Sequence, residues 1–147
     1  MTKDEFKQNY PFYIKQDVIW GNMDAFKHVN NAVYFRYFED VRMAFFEQTK
    51  VNANMDATQQ GPILASTQCQ YKSPLTYPDR IIIGTKLKEI AEKRFTMEYA
   101  IYSESQEIIT TTGDGIIVYY DYKQGKSCEI PDMIRKNFNE ILNSKHH

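Results

Sequence analysis

From Asn31 to Gln48 the apolar residues Tyr34, Tyr37, Phe38, Val41 and Phe45 recur at three- and four-residue steps, the spacing of one face of an α-helix. Phe35, Ala44 and Phe46 widen that stripe beyond an ordinary surface helix, so the pattern predicts a helix buried on most sides. Its remaining face holds Arg36, Glu39, Asp40 and Glu47, whose charges lie three and four apart and support a helix. At the usual rise per residue such a helix is ~27 Å long, enough to cross a small sheet.

Elsewhere the period is two. Phe12, Ile14, Val18 and Trp20 alternate with Tyr13, Lys15 and Asp17 in the manner of a half-buried strand that follows a loose polar start over residues 1–10. Residues 51–61 are polar and read as a connector. Ile63, Ala65, Thr67, Cys69 and Tyr71 then oppose Leu64, Ser66, Gln68 and Gln70, a strand that Pro74 ends. Residues 81–90 and the alternating run Phe95, Met97, Tyr99, Ile101 form a hairpin across the charged turn Glu92-Lys93-Arg94. A fifth strand spans 108–122, where Gly113 and Gly115 suit a bulge or a close backbone approach. Pro131 sits in the first turn of a short C-terminal helix carried by Ile134, Phe138, Ile141 and Leu142. The order predicts a two-layer α+β domain, a curved antiparallel sheet of five strands around one long helix, although spacing alone leaves other α+β arrangements open.

Composition changes that picture little. A chain of 147 residues with 42% hydrophobic and 14% aromatic content supports one domain over 1–147, with a core of about 12–142. A net charge of −1 argues against nucleic acid and against an anionic membrane surface as partners. Without a signal-like start or a long apolar run, the expected location is cytoplasmic. Cys69 and Cys128 fit neither a metal spacing nor a disulfide framework and are expected as free thiols. His146 and His147 are read as a tag remnant or frayed end, which leaves His28 alone and makes a zinc site improbable. No metal and no cofactor is expected.

The run from Trp20 to Glu39, W-G-N-M-D-A-F-K-H-V-N-N-x-x-Y-F-x-Y-F-E, resembles the acyl-CoA thioesterases of the hydroxybenzoyl-CoA thioesterase group in the hotdog superfamily. Gly61-Pro62, Cys69-x-Tyr71-Lys72-x-Pro74-Leu75, Tyr77-x-Asp79, Val118-x-x-Asp121-Tyr122 and Ile130-Pro131 agree in order, so the resemblance covers about Phe12 to Phe138. It implies a hotdog fold, hydrolysis of an acyl-CoA or acyl carrier protein thioester, Asp24 as catalytic carboxylate and the Asn31 backbone N–H as the carbonyl-polarising donor. It departs at Asn22, where the group often has a further acid, and at Lys27, where it often has glycine.

The chemistry fits such residues. Thioester hydrolysis needs a base or carboxylate nucleophile on one side of the carbonyl and hydrogen-bond donors on the other. The first amides of a helix lack internal partners and point outward at the positive end of its dipole. Asp24 ahead of a helix could also be a cap or a turn former. His28 and Asn30 are supporting residues, and Asn30 and Asn31 suit a helix start on any reading. Tyr34 can line an acyl channel or pack the core. Lys72, Arg80 and Lys93 could meet coenzyme A phosphates or be plain solvated surface. Competing readings are a non-catalytic acyl-CoA or acyl-carrier binder, hinted at by Asn22, and a hotdog enoyl-CoA hydratase, disfavoured because Asp24 and His28 are four rather than five apart. The sheet's open edges predict a homodimer or homotetramer.

Overall fold

The computed structural model describes residues 1–143, and the two terminal histidines lie outside them. The elements in order are α1 (Lys3–Asn9), β1 (Phe12–Asp17), a 3-10 turn at Trp20–Asn22, α2 (Asn31–Gln48), α3 (Val51–Thr58), β2 (Gln60–Tyr71), β3 (Arg80–Ile90), β4 (Arg94–Ser103), β5 (Ile108–Asp121), β6 (Lys126–Ser127) and α4 (Asp132–Leu142). The sheet runs β1-β3-β4-β5-β2, antiparallel throughout, with the short β6 paired onto the end of β5. It curls around α2 in the hotdog arrangement, and β6 is the one strand the sequence pattern did not offer.

Why α2 sits where it does follows from its aromatic stripe. Tyr34, Tyr37, Phe38, Val41 and Phe45 are each at most 3% exposed and pack with Ile81, Ile83, Phe95, Met97, Tyr99, Ile101, Ile117 and Tyr119 of the sheet. Phe38 stacks on Tyr99 with ring centroids 4.7 Å apart. A Cβ at Gly113 would lie 2.5 Å from Phe38 Cε2, so here the glycine is required for close approach rather than for a bulge. The bulges fall instead near Ala65, Lys88 and Thr110, where the ladder register slips. At the far end of α2, Phe45 stacks on Phe138 of α4 and Phe95 meets the same ring edge-on, which closes the core. Truncating a buried ring such as Phe45 to alanine removes its apolar burial and leaves a cavity, a loss of about 3–5 kcal/mol.

Besides β6, the fold differs from the sequence pattern at α1, at α3 and at Trp20. Residues 3–9 are a helix with a Thr2–Glu5 capping box, whose Phe6 is fully buried against Ile82, Ala100 and Tyr102 on the outer face of the sheet. A helix this short, with a single buried ring, has too little periodicity to be seen. Residues 51–58 are also helical, entered at Lys50 and left at Gln59, both in the left-handed region (φ 71° and 60°). Trp20, assigned inward by strand alternation, is 70% exposed because β1 ends at Asp17.

α2 is not buried all round. Its flank toward β1 is engaged, with Asp40 accepting a hydrogen bond from Gln16 at 2.9 Å. The opposite flank leaves Phe35 and Met43 39% and 47% exposed, and the neighbouring edge strand β2 keeps Leu64 and Tyr71 exposed.

Candidate active site

Residues 18–30 cross from β1 to α2 as a loop tied at many points. Val18 N–H donates to the Asp79 carbonyl, Val29 N–H to that of Leu75, and Asn30 N–H to that of Asn22. Asp24 and His28 close the tip, the Asp24 amide donating to the His28 carbonyl at 2.7 Å. The Asp24 carboxylate accepts the Phe26 amide at 2.8 Å and the His28 amide at 3.3 Å through the same oxygen, Oδ1. Its other oxygen has no hydrogen-bond partner among the described residues. Asp24 is therefore a turn former, and the cap is Asn30, whose side chain accepts the Ala32 amide at 3.0 Å.

Lys27 makes the sharp part of this turn at φ 62°. The left-handed conformation costs a side-chain-bearing residue about 1–2 kcal/mol that glycine does not pay. The loop nonetheless closes, held by Thr76 Oγ1 donating to the Lys27 carbonyl at 2.8 Å. Substituting lysine at the position where the resemblance expects glycine has left the turn in the glycine conformation.

Capping by Asn30 has a chemical consequence. The Ala32 amide is taken by the cap and the Val33 amide by the Asn30 carbonyl at 2.9 Å, whereas the Asn31 amide has no acceptor among the described residues. It stands at the positive end of an 18-residue helix. Asp24 and Asn31 line the same cleft of about 220 Å³, with His28, Val29, Tyr34, Tyr71, Lys72, Ser73 and Pro74. Asp24, with one carboxylate oxygen unpaired among the described residues, and Asn31, with an unpaired backbone amide, thus line one space.

The cleft's aromatic wall is fixed by hydrogen bonding and ring contacts. The Tyr34 hydroxyl accepts the Leu75 amide at 3.1 Å, and its ring meets that of Tyr71 edge-on at 5.0 Å. Burial pushes the Tyr34 phenol above its ordinary pKa, so it remains a neutral group. Beneath it the Tyr37 hydroxyl is buried without a hydrogen-bond partner at bonding distance among the described residues, and burial, then the neighbouring Tyr34, push it up to about 12 against a lowering influence from the Asn22 side chain.

The candidates named from the sequence are thus mostly brought together. Asp24, His28, Asn31, Tyr34 and Lys72 line the cleft, and Asn30 underlies it as the cap. Arg80 does not join them: it borders a separate depression with Asp17, Val18, Tyr77, Asp79, Glu104 and Ser105. Lys93 lies in the turn between β3 and β4. Val29, Tyr71, Ser73 and Pro74 complete the lining without having been named for it. Tyr71, Lys72 and Pro74 belong to one short motif, and the alternation that puts Tyr71 on the face of Cys69 and Thr67 was the available signal. Among the described residues no group of three or more His, Cys, Asp or Glu side chains is placed to hold a metal.

The chain resembles known proteins in sequence and in fold. A Bacillus subtilis protein, YsmA, is 30% identical over 99 residues, which are 67% of this chain and 66% of that protein. The acyl-acyl carrier protein thioesterase ATL3 of Arabidopsis thaliana is 28% identical over 122 residues, covering 82% of this chain and 63% of that one. The chain thus spans just under two thirds of the length of both relatives. A Thermus thermophilus thioesterase crystallised with coenzyme A and zinc superposes with a TM-score of 0.80 at 21% identity, over 92% of this chain and 96% of that one. The sequence profile of the Thioesterase-like superfamily matches residues 18–138, from the end of β1 to the last aromatic of α4. With the curled sheet, the central helix and the profile in agreement, the chain belongs to the thioesterase-like superfamily.

Proposed function

We propose that this protein hydrolyses acyl-CoA thioesters at the cleft between Asp24 and Asn31, with no metal and no cofactor. The observation that supports this most is the shared cleft: the free Asp24 carboxylate oxygen and the unpaired Asn31 amide border one space. The thioester carbonyl oxygen accepts from Asn31 N–H, where the helix dipole stabilises the negative charge that develops on it. Asp24 Oδ2 either takes a proton from the attacking water and passes it to the departing thiolate, or attacks the carbonyl itself to expel the thiolate and form a mixed anhydride. Water then cleaves that anhydride to the free acid and Asp24, its proton going to the thiol. Oδ1 stays bound to the loop, so the carboxylate is aimed without having to be ordered during the reaction. His28 and Asn30 support the site, Tyr34 walls the acyl entrance, and Lys72 stands at the mouth for the coenzyme's phosphates. The relative that acts on acyl carrier protein keeps that carrier as the alternative thiol.

A second copy completes the acyl channel in this reading. β2 is an unpaired edge of 12 residues, and leaving it open exposes backbone donors and acceptors with Leu64 and Tyr71 beside them. Pairing of two copies along β2 covers this edge and gives a homodimer or, by further association, a homotetramer. Free Cys69 and Cys128 suit a reducing cytoplasm.

Thiol release across a panel of acyl-CoA chain lengths tests the reading. Turnover of at least one chain length, strongly reduced in Asp24→Asn, is expected. Binding of acyl-CoA with no turnover of any thioester would instead make the protein a binder.

A further inference from the structure

Ser73 borders the cleft of Asp24 and Asn31, and the direction of its hydroxyl proton is settled by a residue from another part of the chain. Gln106, in the turn between β4 and β5, meets two neighbours with one side-chain amide. Its Nε2 donates to the Pro74 carbonyl at 2.9 Å, and its Oε1 accepts from Ser73 Oγ at 2.6 Å. A carbonyl can only accept, so the amide nitrogen faces Pro74 and the amide oxygen is left facing Ser73. The Ser73 proton is thereby committed to Gln106. Its oxygen keeps lone pairs and has no other hydrogen-bond partner among the described residues, so toward the cleft Ser73 is an acceptor.

Both ends of this contact are held. The Gln106 amide donates to Ser103 Oγ at 3.1 Å, the Ser103 hydroxyl and the Ser105 amide donate to the Asp79 carboxylate, and the Glu107 amide closes the turn on the Ser103 carbonyl at 2.8 Å. The Lys72 and Ser73 amides both donate to the Thr110 carbonyl, at 2.8 and 3.1 Å. Two residues on, the Leu75 carbonyl receives the Val29 amide, and the Leu75 amide donates to the Tyr34 hydroxyl. The segment that carries Ser73 is thus tied to the loop of Asp24 and to the helix that begins at Asn31.

An acceptor in a hydrolytic cleft selects for donors. The thioester carbonyl oxygen is itself an acceptor and cannot use Ser73, whereas a water molecule brings two O–H groups. Resting on Asp24 as the catalytic carboxylate proposed above, we infer that the attacking water is held between Asp24 and Ser73, with Gln106 as the positioning residue that keeps Ser73 an acceptor. One O–H points to Asp24 Oδ2, which takes that proton as the water oxygen bonds to the thioester carbon. The other O–H stays intact on Ser73 and becomes the hydroxyl of the acid, while Asp24 passes its proton to the departing thiolate. With both hydrogens directed, a lone pair of the water is left for the carbonyl carbon held at the Asn31 amide. This arrangement selects the base route over attack by Asp24 itself.

Steady-state thiol release in three variants tests this, with melting curves to check that each is folded. Ser73→Ala removes the acceptor and is expected to lower kcat about 10- to 100-fold at constant KM. Gln106→Met keeps the length of the side chain but frees the Ser73 proton to turn into the cleft, and should lower kcat about tenfold. Gln106→Glu loses the bond to Pro74 but, ionised, still accepts from Ser73, so kcat should recover to within about threefold of wild type. A role confined to bracing the two segments makes Gln106→Glu at least as harmful as Gln106→Met, because a carboxylate repels the Pro74 carbonyl. That ranking overturns the inference. So does wild-type kcat in Ser73→Ala, or a rise in KM at constant kcat, which would assign Ser73 to an amide of the substrate's carrier arm. Should Gln106→Met not fold, Ser73→Ala and Gln106→Glu carry the test. A single turnover in heavy-oxygen water is expected to label the released acid and not Asp24, and label in Asp24 overturns the base route. If Asp24→Asn is impaired while Ser73→Ala matches wild type, the inference falls and the hydrolysis proposed above stands. Full activity in Asp24→Asn removes the carboxylate, and the inference with it.

Discussion

Asp24 holds the amide of Phe26 at 2.8 Å with one carboxylate oxygen and leaves the other to the cleft. The residue thus shapes its own loop, and the catalytic role proposed for it responds to substitution differently from that structural one. Asp24→Asn retains a side-chain oxygen for the Phe26 amide but removes the charge. Turnover should fall by about 10²–10⁴ with the melting temperature unchanged. Asp24→Ala removes both, so it should match that loss of turnover and also destabilise by about 1 kcal/mol. Full activity in either variant, measured as thiol release, rules Asp24 out of the chemistry.

Lys27 provides a sensitive test of backbone strain. At φ 62° the left-handed penalty of about 1–2 kcal/mol vanishes in Lys27→Gly, while the freer unfolded chain takes back about 0.4–1 kcal/mol. A small net stabilisation is expected, a rise of about 1–3 °C in melting temperature. A β-branched residue tolerates this region least, so Lys27→Ile should melt below wild type. An order other than Gly above Lys above Ile would show that the loop relaxes out of the left-handed region.

Tyr37 carries a buried hydroxyl with no hydrogen-bond partner at bonding distance among the described residues. An unsatisfied buried polar group costs about 1–3 kcal/mol, so Tyr37→Phe should stabilise the fold by roughly 1 kcal/mol with no change in packing volume. Chemical denaturation should show a higher midpoint with the same slope. A marked loss of activity in a stabilised variant would instead assign the hydroxyl to substrate.

At Asp121 the end of β5 bends into a turn, and the carboxyl accepts the Lys123 and Gln124 amides at 2.9 and 3.0 Å. The Gln124 amide is the largest influence holding this carboxyl below the usual carboxylate range. Burial works the other way, and the Lys123 amide and the Gln60 side chain add to the lowering. A folded-state pKa below the unfolded one contributes stability above about pH 4 that is lost as pH falls through the folded value. Asp121→Asn should therefore lower the melting temperature at neutral pH, and the gap to wild type should close on acidification below pH ~4. A gap that is constant from pH 7 to 2 would assign its cost to geometry rather than to charge.

The features legible in the sequence were those with long repeats. Residues 31–48 were bounded correctly as a helix because its aromatic stripe runs through every turn, and the hairpin of β3 and β4 because both strands alternate around a charged turn. The helix α1 escaped because Phe6 alone anchors it, and α3 because its single buried residue, Val51, sits in a polar run. Asp24, His28 and Asn31 were legible through their motif, Tyr34 through the aromatic stripe and Lys72 as a basic residue, and all five line one cleft, yet Arg80 lies elsewhere because β3 carries it past the site.

The asymmetric seat of α2 has a consequence for how such a protein changes over time. Its capped end is tied to the 18–30 loop, while its open flank leaves Phe35 and Met43 exposed, and the edge strand β2 is paired on one side alone. Substitutions at Leu64, Thr67 or Phe35 can therefore reshape what fits beside the helix while the amide at Asn31 stays where Asn30 puts it. Substrate range is free to drift while the reaction is inherited intact.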